Sequence, residues 1–427
     1  MDRQTQFAEA YRKLELFPLY SEAERKEFGV TYGARTLSRL QTMIVFSDER
    51  AKLVFTGHRG CGKSTLLASL SEQMRTRQGF YVLGFSIADM VEMSDINHVN
   101  ILYSIAIRLL EKALDDGLIS ISKSEYEDLI NWFSRTVTTT TDNETSGEVG
   151  LGVEFLGVAK VGLKNDRKFR KQIKDTLERR VSELSERITR IAKAIQKASS
   201  KEVLVIIDDL DKLDLATVKP IFQDNIKALF SPEIRIVFTI PIAVMREPRL
   251  LAAMESEGKT AMMSVTKFFP KDQAHDPDAV PDEKAIRVLE EALGKRIPDE
   301  LIEPQTRRMI VLLSGGVLRE LVRLAQECCQ ECMAQIVESP EQTDVRIDDE
   351  ILKRAVNSLR NQFARPLGSE LYKLLAQTYH NFNPPDARAP EFLELLHGLH
   401  VLEYENGDLW YDLHPLVADL LRQRQLI

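Results

Sequence analysis

The eight residues GHRGCGKS at 57–64 limit what this chain can fold into more than any other stretch. They fit the spacing G-x-x-x-x-G-K-[ST] at every position. Gly57, Gly60 and Gly62 let the backbone turn tightly, so that its N–H groups converge on phosphate oxygens. A helix starting near Lys63 would add the positive end of its dipole. The Lys63 ammonium is expected to reach the β- and γ-phosphates of ATP, and the Ser64 hydroxyl to ligate Mg²⁺. His58, Arg59, Cys61 and Thr65 complete the expected nucleotide-binding loop. Such a loop needs a strand before it and a helix after it. The apolar run at 52–55 and the helical pattern at 64–75 supply both. The expected fold is therefore α/β, with a parallel-sheet P-loop core.

A second element supports that reading. VLVIIDDLDKLD at 203–214 is a wholly apolar strand that ends in carboxylates. Strands buried on both faces of a parallel sheet have this character, and ligands gather at the carboxyl ends of such strands. Asp208 is expected to hold Mg²⁺ through water, and Asp209 to orient or deprotonate the attacking water. Asp211 and Asp214 have a simpler alternative, capping the next helix. The run IRIVFTI at 234–240 predicts another strand, with Thr239 as the residue that would read the γ-phosphate. An ordinary strand threonine is the alternative there. Residues 80–85 and 265–269 predict further strands, and 98–114 a helix.

The segment 135–163 reads differently. After threonines at 138–141, Val149, Leu151, Val153 and Phe155 alternate with glycines and Glu154. That period predicts a hairpin over 147–163 turning near Gly157, weakened by its glycines. Residues 166–199 predict one long charged helix, so that 135–199 forms an insertion in the core. The stretch 164–180 carries eight Lys/Arg against three Asp/Glu. It is either a contact for nucleic-acid backbone or a solvated helix with i,i+4 pairs such as Asp175 with Arg179.

Beyond Asp272 the strand patterns stop, and Pro277 and Pro281 mark a linker. Helical patterns follow at 282–295, 299–313, 317–337 and 348–362. The terminal unit predicts helices at 369–380 and 390–399, strands at 401–405 and 409–413, and a helix at 415–422. Asn406-Gly407 is a hairpin-turn signal. The expected organisation is a helical arm at 1–27, the core at 28–271, a helical lid at 272–365 and a terminal domain at 366–427. That last domain holds nine Asp/Glu against four Lys/Arg. Its charge opposes phosphate binding and suits a protein-contact or autoinhibitory role.

Composition removes several classes. The 427 residues carry a net charge of −8, with 44% hydrophobic and 29% charged residues, an ordinary globular balance without a global basic field. No apolar run reaches the roughly 18 residues of a membrane span, and the N-terminus has no signal-peptide core. The four cysteines have no framework spacing. A cytoplasmic protein is expected. Cys328, Cys329 and Cys332 lie in one helical run without a second ligand pair, so burial is favoured over zinc. Cys61 would be an oxidisable residue inside the loop. The seven histidines form no catalytic cluster.

These motifs together resemble the AAA+ and STAND branches of P-loop ATPases, of the ASCE type. YGAR at 32–35 is similar to the element that cradles adenine in origin-recognition initiators and STAND proteins, which implies adenine contacts at Tyr32 and Gly33. SGGVLREL at 314–321 is similar to the lid motif with the sensor-2 arginine, which maps onto Arg319. The pattern ending in DLHPLV resembles a closing winged helix. FTGHRGCGKSTLL and FSIADMVEMSDINHVNILYSIA resemble a bacterial P-loop ATPase family frequent in cyanobacteria. The resemblance implies a Mg²⁺-dependent ATPase switch. It also implies a homo-oligomer that regulates a protein effector, with relatives acting in antiphage defence. The alternative it offers is a DNA-engaging AAA+ ATPase of the initiator or transposition-regulator kind, using 164–180. Most AAA+ proteins end the second motif in Asp-Glu. Asp208-Asp209 is one methylene shorter there and implies slow hydrolysis. Arg246 and Arg249 are the candidates for an arginine finger, with solvated helix charges as the alternative.

Overall fold

The structure is a computed structural model. It describes residues 2–427 apart from 78, 120–123, 141–153, 343 and 407. The chain divides into two compact units. One comprises Met1–Ala34, Gly57–Leu66 and Met263–Ile427, the other Arg35–Thr56 and Leu67–Met262.

The second unit is built on the sheet. Its strands are β1 (Lys52–Gly57), β2 (Tyr81–Ser86), β3 (Val203–Asp208), β4 (Arg235–Thr239) and β5 (Lys259–Met263). Their order is β2-β3-β4-β1-β5. β2 with β3, β3 with β4, and β4 with β1 all pair in parallel. Phe55 registers with Thr239, and Ile207 with Phe238. The carboxyl ends of β1, β3 and β4 thus share one edge of the sheet. Every residue of β1, β3 and β4 is buried, which is why their middles at 53–55, 203–207 and 236–238 read as apolar runs. The last strand lies at Lys259–Met263 rather than at 265–269 as expected; residues 264–267 form no regular element.

Against the sheet lies the helix His98–Asp115, capped by Asn97, whose side chain accepts from the Asn100 N–H. It is buried almost all round, including Val99, Ile101, Leu102, Tyr103 and Ile105. The helix Val181–Ser199 packs on it. A helix apolar on every face belongs in the centre of a domain.

The predicted hairpin is corrected where it can be seen. Glu154–Asn165 is an α-helix. Phe155, Leu156, Ala159 and Leu163 are its buried residues, a helical spacing. Gly157 lies inside this helix rather than at a turn, and another of its glycines has a packing use. A Cβ on Gly162 would lie 2.7 Å from the Phe169 ring. The remaining residues of that expectation, 147–153, lie outside the described residues. The predicted long helix is also divided, into Arg167–Leu177 and Val181–Ser199 with a 3₁₀ turn between them.

In the first unit, Arg3–Lys13 is not a free arm. Phe7, Ala10 and Leu14 are buried, and the helix packs on Leu318–Glu338. Tyr11 Oη accepts from Gln330 Nε2 at 2.8 Å. The helices Glu283–Gly294, Pro304–Leu313, Leu318–Glu338 and Asp349–Ala364 follow the expected pattern. Cys328, Cys329 and Cys332 are fully buried on one of them, and desolvation pushes the Cys329 thiol up to about 12.

The terminal part holds the helices Ser369–Asn381, Pro390–His397 and Pro415–Gln423 and the antiparallel strands β6 (Val401–Asn406) and β7 (Asp408–Leu413). Gly407 of the expected turn lies outside the described residues. His414 caps the last helix, its Nδ1 accepting from the Leu416 N–H at 3.2 Å. Burial, with His400 and Arg323 adding positive charge, lowers its pKa from 6.5 to about 3. The folded state keeps this ring neutral, whereas the unfolded chain protonates it below about 6.5. Stability is therefore complete above that value and falls as pH drops towards 3, by up to about 1.4 kcal/mol per pH unit. His414→Asn keeps a capping acceptor and should flatten the loss of urea stability on going from neutral to mildly acidic pH. An unchanged slope would mean that other groups control it.

Candidate functional site

The glycines of the loop take backbone conformations that side chains resist. Gly57, Gly60 and Gly62 have φ of 148°, 79° and 95°. Close approach adds to this. A Cβ on Gly57 would lie 2.4 Å from the Met263 carbonyl oxygen, and one on Gly60 2.4 Å from Arg319 Cβ. A Cβ on Gly62 would meet Leu318 Cδ1 at 3.0 Å.

Within the same unit the loop is held by side chains and backbone from far along the chain. The Arg319 N–H donates to the Gly60 carbonyl at 3.0 Å. His58 Nε2 accepts from the Glu403 N–H of β6 at 2.8 Å, and both residues are buried. That bond requires an unprotonated Nε2. Thr65 Oγ1 accepts from the Leu19 N–H at 3.1 Å. Cys61 is fully buried, with its sulfur 3.9 Å from the Met263 carbonyl oxygen. Lys63 is buried too, and its ammonium donates to the carbonyls of Gly57 at 2.9 Å and His58 at 2.8 Å. The cation expected to meet phosphates thus sits on the loop's own carbonyls. Ser64 and Arg59 are half-buried beside it.

Tyr32 and Gly33 reach the same neighbourhood. The Tyr32 ring lies 3.8 Å from a Cβ built on Gly62, and a Cβ on Gly33 would lie 2.8 Å from Leu66 Cδ1. Burial raises the Tyr32 phenol well above its ordinary pKa, so it stays neutral. Gly33 has φ 69°, the left-handed region that favours glycine.

In the sheet unit, Asp208 ends β3 and Asp209 follows with φ 70°. A non-glycine residue there costs of the order of 1 kcal/mol, and such strain clusters at functional sites. Asp208 Oδ1 accepts from the Asp209 N–H at 2.8 Å. Asp209 Oδ2 accepts from Ser86 Oγ at 2.6 Å, and its Oδ1 pairs with Lys212 Nζ at 2.7 Å. Carboxylate oxygens of Asp208, Asp209 and Asp211 lie within 4.8 Å of one another, all three residues buried. Asp214 caps the next helix, accepting from the Thr217 N–H at 2.7 Å.

Thr239 is fully buried, and its hydroxyl accepts from the Leu210 N–H at 3.1 Å. In this conformation it serves the turn after β3. Arg246 is half-buried, whereas Arg249 is exposed.

Ser86, Lys212 and Glu403 did not emerge from the sequence. Ser86 registers with Asp208 at the end of β2, so a polar residue closing the second strand was the available signal. Nothing local marked Glu403, because its bond to His58 is made by the backbone N–H.

Each unit carries one signature of the P-loop NTPase fold, the first a loop whose glycines leave room for phosphate and the second buried acids suited to a hard cation. Residues 34–240 match the KAP family P-loop domain. No curated protein matches the chain. The Walker-type ATPase PABY2304 of Pyrococcus abyssi is similar at 14% identity, covering 96% of this chain and 99% of that one, with a TM-score of 0.45. The Aeropyrum pernix ORC1 protein, solved in complex with DNA, is 12% identical over 92% of this chain and 93% of its own, with a TM-score of 0.37. Cdc6p of Pyrobaculum aerophilum gives 12%, 93%, 96% and 0.37 for the same quantities.

Proposed function

We propose that this chain binds ATP with Mg²⁺ at 57–64 and hydrolyses it slowly, acting as a nucleotide-state switch that self-associates and regulates a partner protein. The observation that carries this reading is the double hold on the loop. Arg319 takes the Gly60 carbonyl, and β6 takes His58. A phosphate entering the loop must draw Lys63 off the Gly57 and His58 carbonyls. Segments more than two hundred residues away in sequence are bonded to that same loop, so its rearrangement is available to them as a signal.

The roles follow from the chemistry. The N–H groups of the loop and Lys63 would bind phosphate oxygens. Ser64 and Asp208 would hold Mg²⁺, which when bound neutralises charge on the phosphates. Asp209 would orient water. Its carboxylate is already engaged by Ser86 and Lys212, which restrains it and accords with slow turnover. Tyr32 and Gly33 would face adenine, and Arg319 would answer the γ-phosphate.

Asp209→Asn should lower phosphate release by about 100-fold while leaving the ATP-induced rise in melting temperature intact. Sedimentation of that variant in ATP and in ADP tests the switch. Different assembly states support it, and identical ones leave a plain ATPase. An antiphage setting rests on the sequence resemblance alone, and plaque counts with Lys63→Ala in a native host would test it. The DNA-engaging reading has less to stand on, since Arg170 of the basic stretch is buried rather than presented. Turnover stimulated by duplex DNA in a salt-sensitive way would restore it.

A further inference from the structure

The segment 28–33 brings Tyr32 and Gly33 to the loop, yet little of its own sequence can hold it there. The helix that leads into it, Glu22–Phe28, has no buried residue. Residues 29–33 form no helix or strand, and none of them is fully buried. Apolar burial, the largest source of fixed position in a fold, is therefore weak along this stretch. The bond from the Tyr32 N–H to the Val30 carbonyl at 2.8 Å is local, so it sets shape rather than place.

The hold comes from two cations 266 and 268 residues further along the chain. A helix leaves its last carbonyls without partners, and these cations meet the end of Glu22–Phe28. Lys295 Nζ donates to the Gly29 carbonyl. Arg296 Nη1 donates to the Phe28 carbonyl at 3.3 Å and to the Ala292 carbonyl of its own helix at 2.8 Å. One guanidinium thus joins the ends of two helices, Glu22–Phe28 and Glu283–Gly294. Its carbon also lies 4.9 Å from the centre of the Phe28 ring, a cation–π contact. The local sequence GKRIP at 294–298 prepares this. The helix stops at Gly294, Ile297 is fully buried, and Pro298 cannot extend a helix.

Arg296 is 9% exposed, and no carboxylate pairs with it among the described residues. Burial lowers its pKa from the ordinary arginine value. Desolvating a guanidinium against carbonyls alone is costly, and an apolar side chain of similar volume would fill the place at less cost. A charged donor that fixes a stretch of backbone accounts for the residue better than packing does.

We propose that Lys295 and Arg296 are positioning residues for the base of the nucleotide. They hold 28–33 beside the loop through the Phe28 and Gly29 carbonyls, and so set affinity for the adenine end of ATP rather than for its phosphates. This role rests on the reading that Tyr32 and Gly33 face adenine. Without the two cations the segment is free to leave Gly62 and Leu66, which Tyr32 and Gly33 adjoin.

The test compares two probes by calorimetric titration of the full chain with Mg²⁺. One is ATP, and the other is inorganic tripolyphosphate, which offers phosphates without a base. The unaltered chain should bind ATP the more tightly. Lys295→Met with Arg296→Leu should weaken ATP at least about tenfold, since a charged donor is lost from each carbonyl, and should leave tripolyphosphate affinity unchanged. Lys295→Met alone, at a half-buried side chain, should weaken ATP in the same direction and serves if the double variant fails to fold. Unchanged ATP affinity overturns the positioning role. Equal weakening of both probes overturns it too, because a generally loosened loop would move both. The reading beneath it fails differently, in the unaltered chain. Tripolyphosphate bound as tightly as ATP would remove the adenine contacts, and neither probe bound would remove the nucleotide site, each taking this role with it.

Discussion

Lys63→Ala will reduce ATP turnover by roughly 100-fold or more, the usual scale for removing one donor aimed at developing charge. The same change will remove the melting-temperature rise given by ATP with Mg²⁺. In the free protein it will do something less expected. The Lys63 ammonium donates to the Gly57 and His58 carbonyls, both inside a buried loop. Deleting it takes a charged donor from each, and we expect a loss of about 1–3 kcal/mol in stability without nucleotide. Lys63→Met, which keeps most of the stem, should lose turnover equally. Parallel phosphate-release and urea-unfolding measurements would check both halves. Turnover retained in either variant would remove the loop from the chemistry.

Gly60→Val carries the second large effect. Its φ of 79° disfavours any side chain, and a Cβ there would sit 2.4 Å from Arg319 Cβ. Both atoms lie close to the backbone, so the contact cannot be relieved by swinging a flexible tip. The Arg319 N–H bond to the Gly60 carbonyl must lengthen or break. We expect nucleotide affinity to fall by at least about tenfold and stability by about 1–3 kcal/mol. Gly79→Ala is the matched control. Gly79 has φ 68°, yet a Cβ on it meets nothing within 4 Å. That variant carries the strain without the collision. A fluorescent-nucleotide titration of both would separate the two causes. Equal affinities would mean that the approach of Arg319 is irrelevant to the loop.

What the sequence disclosed followed the range of the interaction. Gly57, Gly60, Gly62 and Lys63 act through spacing along the chain, so their motif was legible. So was β3, because a strand buried on both faces has little freedom in composition. Asp214 read correctly as a cap, since capping is a matter of three residues. Phe155 to Leu163 misled, because its glycines and apolar residues fit one arm of a hairpin, and only the burial of Leu156, Ala159 and Leu163 reveals the helix. The strand pattern placed Thr239 at the end of β4, whereas the bond between its hydroxyl and the Leu210 N–H is a tertiary contact that strand propensity does not encode. The bond between His58 and Glu403 spans 345 residues and uses a backbone donor, so no residue type could announce it.

That last bond bears on how the protein can be divided. A fragment cut at 34–240 would carry every residue of the phosphate motif and the carboxylates of Asp208 and Asp209. It would also shed the backbone donors of Arg319 and Glu403, and Leu19 on the other side, each of which holds one position of the loop. His58 is a wildcard in the written motif and a keystone in this chain. A loop transplanted here from another ATPase with an alanine at that position would keep its signature and lose its tether to β6.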